Sequence, residues 1–172
     1  MTPLQSVAMG LVLVLLDIRF EQWDAIPDVL GWVLVIGGLV RLRDLVETGW
    51  LLGLAAVAGA VSVPLVDGSV AESLPPSTGW LLSLPEVVFS ILLATELARL
   101  LVEERPDLAH RFRVLRWAFV VVAIGPVLLF GGGLDVVLVP LALVAVGSHV
   151  YLVLQLFRAS APVAALRQVP RD

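Results

Sequence analysis

The chain has no cysteine and no lysine, and only 15% of its 172 residues are charged. Without cysteine it has no disulfide bond, no thiolate metal site and no cysteine nucleophile. A soluble domain carries about 25% charged residues, because most of its surface lies against water. The formal net charge of −4 also provides no basic face for a nucleic acid. These shortages exclude ordinary cytosolic enzymes and nucleic-acid-binding proteins.

Apolar residues, in contrast, make up 59% of the chain, and the mean hydropathy is +1.01. A membrane-spanning helix needs about 20 mostly apolar residues. Six windows qualify, at about residues 3–20, 28–45, 50–67, 82–104, 114–131 and 134–158. The sequence therefore predicts an all-α integral membrane protein with a six-helix transmembrane bundle. Residues 1–158 are expected to form a single transmembrane domain, and 159–172 a short cytoplasmic tail.

Arginine placement predicts how these spans are oriented, because cytoplasmic loops of membrane proteins carry the excess of basic residues. With six spans, all of the 11 arginines except Arg19 fall on one side of the membrane. The opposite side carries eight acidic residues: Asp17, Glu21, Asp24, Asp28, Asp67, Glu72, Glu86 and Asp135. We therefore expect a multi-pass protein whose N- and C-termini are both cytoplasmic. The first span has no basic segment before it, so it is expected to be retained and not cleaved as a signal peptide.

Tryptophan and glycine positions add two expectations about the spans. Tryptophan favours membrane interfaces, and five tryptophans fall near predicted span ends: Trp23, Trp32, Trp50, Trp80 and Trp117. Glycine lets helices approach closely, and we expect such contacts at Gly37, Gly38, Gly53, Gly59, Gly125 and Gly147.

A weak internal repeat relates the second and fourth spans. Ile26-Pro27-Asp28-Val29 opens the second span, and Leu84-Pro85-Glu86-Val87 follows 58 residues later, counted from position 28 to position 86. Asp135-Val136 opens the sixth span from the same side. The repeat suggests three helical hairpins, although general rules for how helices begin also explain it.

The densest polar feature is the corner between the first two spans, which holds Asp17, Arg19, Glu21, Asp24 and Asp28. The four acids are spaced four, three and four residues apart, as on one face of a helix. One interpretation is a carboxylate cluster that receives a cation or a cationic ligand, with Arg19 as counter-ion. The other is a solvated turn in which Asp28 stabilises the start of the second helix. Whether these carboxylates hold a metal ion stays open.

This corner is similar to a signature of small multi-pass bacterial membrane proteins that have no assigned activity. Their pattern is Leu-Asp-x-Arg/Asn, then Pro-Asp-x-x-Gly-aromatic, then Gly-Leu, all within about residues 11–45 of this chain. The matching residues are Leu16, Asp17, Arg19, Pro27, Asp28, Gly31, Trp32, Gly38 and Leu39. The resemblance implies a bacterial cytoplasmic (inner) membrane location and a corner that matters to the protein.

Polar residues inside the spans form a second candidate site, because an ionisable group in hydrocarbon is costly. They are Glu96, Ser148, His149, Tyr151 and Gln155. Glu96 and His149 lie at comparable depth, so they are candidates for a pair across two helices or for a proton relay. Alternatively, Glu96 pairs with Arg99 one turn away, and the polar stripe of the sixth span forms hydrogen bonds between helices.

Two functions are compatible with these sequence features. The first is binding or translocation of a small solute or cation through an acidic outer mouth. The second is a non-catalytic accessory or assembly subunit of a larger membrane complex. An enzyme is disfavoured, since the chain shows no phosphate loop, metal-ligand pair or nucleophile motif. No cofactor is expected, and the expected partners are the lipid bilayer and a second membrane protein or another copy of the chain.

Overall fold

The computed structural model describes residues 1–16, 19–20, 23–24, 28–66, 68–132 and 135–166. This part of the chain is helical apart from one pair of two-residue strands. The helices are α1 (Pro3–Leu15), α2 (Asp28–Leu42), α3 (Gly49–Leu65), α4 (Gly68–Ser73), α5 (Pro76–Leu100), α6 (Pro106–Gly132) and α7 (Leu138–Leu166). A 3-10 turn, Asp135–Val137, leads into α7. Strands β1 (Arg19–Phe20) and β2 (Trp23–Asp24) pair antiparallel between α1 and α2.

Three helices, α5, α6 and α7, are long and apolar enough to cross a membrane. Helix α1 has 13 residues, α2 has 15 and α3 has 17, which is short for a span of about 20 residues. Each of the six predicted windows nevertheless overlaps one of the six longer helices. The all-helical class and the apolar long helices are thus confirmed, whereas the six-span bundle stays a prediction.

The six longer helices form a closed ring. Each packs against the next one in the chain, in the order α1, α2, α3, α5, α6 and α7, and α7 packs against α1. Consecutive helices run antiparallel where their contacts define a direction. For example, Phe119 of α6 contacts His149 of α7, while Gly125 lies beside Leu141. The ring therefore has two ends, which we call the acidic end (the start of α2 and α5) and the arginine end (the end of α5 and the start of α6).

The closest helix crossing joins α1 and α2, and it depends on glycine. A Cβ atom added at Gly31 would lie 2.6 Å from the carbonyl oxygen of Gly10, and one at Gly10 would lie 2.4 Å from that of Gly31. Farther along, a Cβ at Gly38 would lie 2.6 Å from Val7. Backbones this close exclude any side chain at the crossing. Ser6 adds a hydrogen bond from its hydroxyl to the Leu34 carbonyl at 3.2 Å.

The predicted close-packing glycines divide into two groups. Gly38, Gly59 and Gly125 do lie against neighbouring helices, as expected. The prediction is wrong for Gly37, Gly53 and Gly147, where an added Cβ would meet no atom within 4 Å. These three glycines face outward, and the two glycines at the tightest crossing, Gly10 and Gly31, were not among those predicted.

Large apolar side chains cover both the inside and the outside of the ring. The inside holds Phe89, Phe112 and Phe119, which are fully buried. The outside exposes many valines, leucines and isoleucines, such as Val121 and Ile124 of α6 and Leu143 of α7. An apolar outer surface on long helices is what a lipid environment requires.

Trp32, expected at the membrane interface near the outer end of the second span, is directed into the bundle. Only 2% of its surface is exposed. Its ring meets Phe89 edge to face at a centroid distance of 5.4 Å, and Gly59 of α3 leaves room for it. Trp50 and Trp117 are well exposed at the arginine end, as an interfacial tryptophan should be.

Candidate functional site

A small cavity opens between α2, α3 and α5 near the acidic end of the ring. Its volume is about 120 Å³. Two carboxylates, Asp28 and Glu86, line it together with the hydroxyl-bearing residues Ser62 and Ser83. Trp32 forms part of its wall. The cavity therefore combines negative charge and hydroxyl groups within a mostly apolar bundle.

The local sequence explains why both carboxylates reach this cavity. Asp28 is the first residue of α2 and directly follows Pro27, which favours the start of a helix. Glu86 directly follows Pro85, a proline inside α5. Asp28 and Glu86 hold corresponding positions in the weak internal repeat, and the fold brings these two acids to one cavity.

Glu86 also contacts His149 of α7, on a helix that is not its neighbour in the ring. The Glu86 Oε1 atom lies 3.2 Å from His149 Nε2. The side chains are 27% and 16% exposed, respectively. This contact crosses the interior of the ring and connects the cavity to the centre of the bundle.

The hydrogen bonding of His149 determines how many protons the Glu86–His149 pair can hold. Nδ1 lies 2.9 Å from the Ala145 carbonyl oxygen, which only accepts hydrogen bonds, so Nδ1 carries a hydrogen. Nε2 has no aligned hydrogen-bond partner among the described residues, although the Glu86 carboxylate is close. Glu86 and His149 can thus share one further proton, as an imidazolium facing a carboxylate or as a neutral imidazole facing a carboxylic acid.

The position of His149 is fixed on its other side by an aromatic ring. Phe119 of α6 meets the imidazole edge to face at a centroid distance of 4.8 Å. Phe119 is fully buried, and so are Phe112 and Leu97 toward the arginine end. Large apolar side chains therefore surround much of the interior between His149 and the arginine end, together with the buried Gln155 of α7.

Two more polar side chains are buried inside the ring without a hydrogen-bond partner in the described part of the chain. Ser90 lies one helical turn after Glu86 on α5, and Gln155 lies on α7. Both are fully buried. Ser148 is buried as well, whereas Tyr151 is half-buried. The predicted polar stripe of α7 is thus directed largely inward, but no hydrogen bond of Gln155 to another helix is seen among these residues.

Glu96 does not belong to this interior site. Its Oε1 accepts a hydrogen bond from Arg99 Nη1 at 2.7 Å, near the arginine end of α5. The pairing of Glu96 with His149 considered from the sequence is wrong, because Glu86 occupies that position. Arg99 is exposed. The Glu96–Arg99 contact agrees with the alternative expectation, in which Glu96 pairs with the arginine one helical turn away and not with His149.

Most of the predicted outer corner cannot be placed. Asp17 and Glu21 lie outside the described residues, and for Arg19 and Asp24 the structure describes only the paired backbone. Asp28 alone is placed with its side chain, in the cavity. Among the described residues, no three histidine, aspartate or glutamate side chains come close enough together to hold a metal ion.

Glu86 is the site residue that was not among the candidates from sequence. It had been assigned to the outer acidic side, without a functional role. A signal was available, because Pro85-Glu86-Val87 repeats Pro27-Asp28-Val29 at the same end of the fold. Comparison of the chain with protein-family models, curated protein sequences and solved structures finds no match. The site is therefore interpreted from its own geometry.

Proposed function

We propose that all six longer helices cross the membrane and that the arginine end is cytoplasmic. Helices α1, α2 and α3 complete a closed ring with the three long helices, so they share the same layer. Eight arginines with described side chains lie toward the arginine end: Arg41, Arg43, Arg99, Arg105, Arg111, Arg113, Arg116 and Arg158. The bias of basic residues toward the cytoplasm supports this orientation in a bacterial inner membrane, with both termini inside.

Single cysteines test this orientation directly, since the chain has no cysteine of its own. Ser73→Cys, at the exposed end of α4, is expected to react with a membrane-impermeant maleimide added to intact cells. Glu104→Cys, exposed at the arginine end, is expected to react only after the cells are opened. The reverse pattern, or labelling of both positions in intact cells, would contradict the proposed topology.

We further propose that the protein binds a small cation, inorganic or organic, in the cavity at the acidic end. One observation carries this proposal: Asp28 and Glu86 line the same cavity, and Glu86 contacts His149 inside the bundle. Carboxylates surrounded by low-dielectric walls attract cations strongly. A volume of about 120 Å³ suits an ion or a small ammonium compound. The position of the cavity near the starts of α2 and α5 supports binding from the outer side as the first step of any transport.

We expect this binding to depend on pH, because Glu86 and His149 together can hold one further proton. A cation that pairs with the Glu86 carboxylate competes with that proton. Raising the pH removes the proton and favours the cation, so affinity should increase with pH. Asp28, Glu86 and His149 are the ionisable groups at the site in the described part of the chain.

Thermal stability of the purified protein in nanodiscs measures this binding. Sodium, magnesium and methylammonium chloride are the probes, and the chloride of N-methylglucamine, a bulkier cation, is the ionic-strength control. We expect at least one probe to raise the melting temperature saturably, and more at pH 8 than at pH 6. Glu86→Gln and Asp28→Asn should each raise, at least tenfold, the probe concentration that gives half of the full shift in melting temperature. Glu47→Gln, an exposed acid at the arginine end, should leave it unchanged.

A specific observation also favours the second candidate function, an accessory subunit. Small residues of α3 face outward without cover, among them Gly53, Ala56 and Ala60. Such a surface suits close packing of a helix from another protein or another copy of the chain. If none of the probes changes the melting temperature, the cation proposal fails, and the uncovered face of α3 makes the accessory role the better explanation.

A further inference from the structure

A second cavity, separate from the one described above, lies at the arginine end between α5 and α6. Its volume is about 230 Å³. Three arginines line it: Arg99 from the last turn of α5, and Arg113 and Arg116 from the beginning of α6. Arg113 and Arg116 are three residues apart, so one face of α6 presents both. The remaining lining residues are Thr95, Ala98 and Val102.

The positive charge of this cavity is only partly balanced within the described part of the chain. Glu96 neutralises Arg99 at 2.7 Å, but no acidic residue lines the cavity. Arg113 and Arg116 have no carboxylate within 4.0 Å among the described residues. Asp107, at the start of α6, pairs with Arg105 at 3.2 Å. That contact raises the pKa of the Arg105 guanidinium above its ordinary value. Two unpaired guanidinium groups at one cavity are suited to an anion with several oxygen atoms.

The surroundings of the cavity indicate where that anion comes from. Trp117 is 62% exposed next to the arginines, and the Arg116 guanidinium carbon lies 5.0 Å from the centre of its ring. Val102 and Val114 are exposed at the same end. Tryptophan and arginine together are typical of the lipid headgroup level. Farther along α6, the exposed side chains of Val121 and Ile124 continue toward the hydrocarbon.

We propose that this cavity binds the phosphate group of an anionic phospholipid. Guanidinium groups hold phosphate oxygens through two parallel hydrogen bonds, which an ammonium group does not reproduce. Arg113 and Arg116 provide these donors, and Arg99 adds positive charge at the rim. The acyl chains lie along the apolar outer surface of α6, beside Trp117 and Val121. The lipid thereby joins the end of α5 to the beginning of α6.

The purified full-length protein in a zwitterionic detergent provides the test. Titration with short-chain phosphatidylglycerol is expected to raise the melting temperature of the wild type saturably, whereas phosphatidylcholine has little effect. Native mass spectrometry should show one phosphatidylglycerol molecule retained most strongly. In Arg113→Gln/Arg116→Gln the apparent affinity should fall at least tenfold. Arg113→Lys/Arg116→Lys should bind with intermediate affinity, because it keeps the charge but not the paired donors.

Two controls separate this site from general charge attraction. Arg43→Gln/Arg105→Gln removes the same charge from the same end of the protein without touching the cavity, and it should respond as the wild type does. Inorganic phosphate should give no saturable shift up to several millimolar. Equal loss in both double variants would overturn the proposal, and so would an unchanged response in Arg113→Gln/Arg116→Gln. A phosphate response equal to that of the lipid would overturn the assignment to a lipid.

Discussion

Gly31→Ala is expected to lower the free energy of unfolding by about 2–3 kcal/mol, although alanine forms helices better than glycine does. The added Cβ would lie 2.6 Å from the Gly10 carbonyl oxygen and 2.7 Å from Val14 Cγ2. One of these neighbours is backbone, so the contact is relieved only if α1 and α2 move apart. Separation of the two helices would also weaken the Ser6–Leu34 hydrogen bond between them.

Gly37→Ala is the matched control for this prediction. It makes the same chemical change on the same helix, at a position where an added Cβ meets no atom within 4 Å. We expect it to leave stability unchanged or to raise it by up to about 1 kcal/mol. The measurement is unfolding of both variants by denaturing detergent from mixed micelles. Equal stabilities for the two variants would show that the α1–α2 crossing is less close than described.

Phe119→Ala is the second substitution with a large expected effect. Removing a buried phenyl ring leaves a cavity of roughly 100 Å³, which alone costs about 2.4 kcal/mol at about 24 cal/mol per Å³; with the lost burial of the ring itself, the expected total is about 3–5 kcal/mol. The space would open directly beside His149, whose imidazole now meets the Phe119 ring at 4.8 Å. Water would then have room next to the Glu86–His149 pair. We therefore expect lower stability together with faster hydrogen exchange in the middle of α6 and α7.

Phe130→Ala provides the comparison on the same helix. Phe130 is 43% exposed and lies 6.3 Å from Trp80, measured between ring centroids. Lipid or detergent replaces the lost ring there, so the expected loss of stability is below about 1 kcal/mol. Detergent unfolding and hydrogen exchange of both variants measure the difference. If Phe130→Ala is the more damaging change, the assignment of inner and outer faces of α6 is wrong.

The all-helical fold class was predictable, because hydropathy identifies segments that have to satisfy their own backbone hydrogen bonds in lipid. Helix ends were less predictable. Helix α6 begins at Pro106, before the apolar window at 114–131, and α7 continues to Leu166, beyond the window at 134–158. Charged residues such as Arg111 and Arg113 lower the local hydropathy, but they leave the backbone hydrogen bonds of the helix intact. Hydropathy therefore marks the part of a helix suited to lipid, and not its full length.

The candidate site was only partly predictable, because side-chain direction depends on the packing of distant helices. Asp28 was identified from the sequence, whereas Glu86 was assigned only to a side of the membrane. The partner of His149 is set by how α5 and α7 face each other across the ring, and span depth alone does not contain this information. Trp32 shows the same limit, since it is buried because Gly59 leaves space for it on α3.

Closure of the ring by α7 has a consequence for biosynthesis. The chain is made from its N-terminus, so α5 is synthesised before α7 and Glu86 before His149. Until α7 inserts between α6 and α1, the ring has a gap, and Ser90 and Glu86 have no cover on that side. The polar centre is thus assembled late, when the helix that carries His149 and Gln155 closes the gap. Before α7 is inserted, the nascent chain has an open groove in the place that becomes the interior of the complete ring.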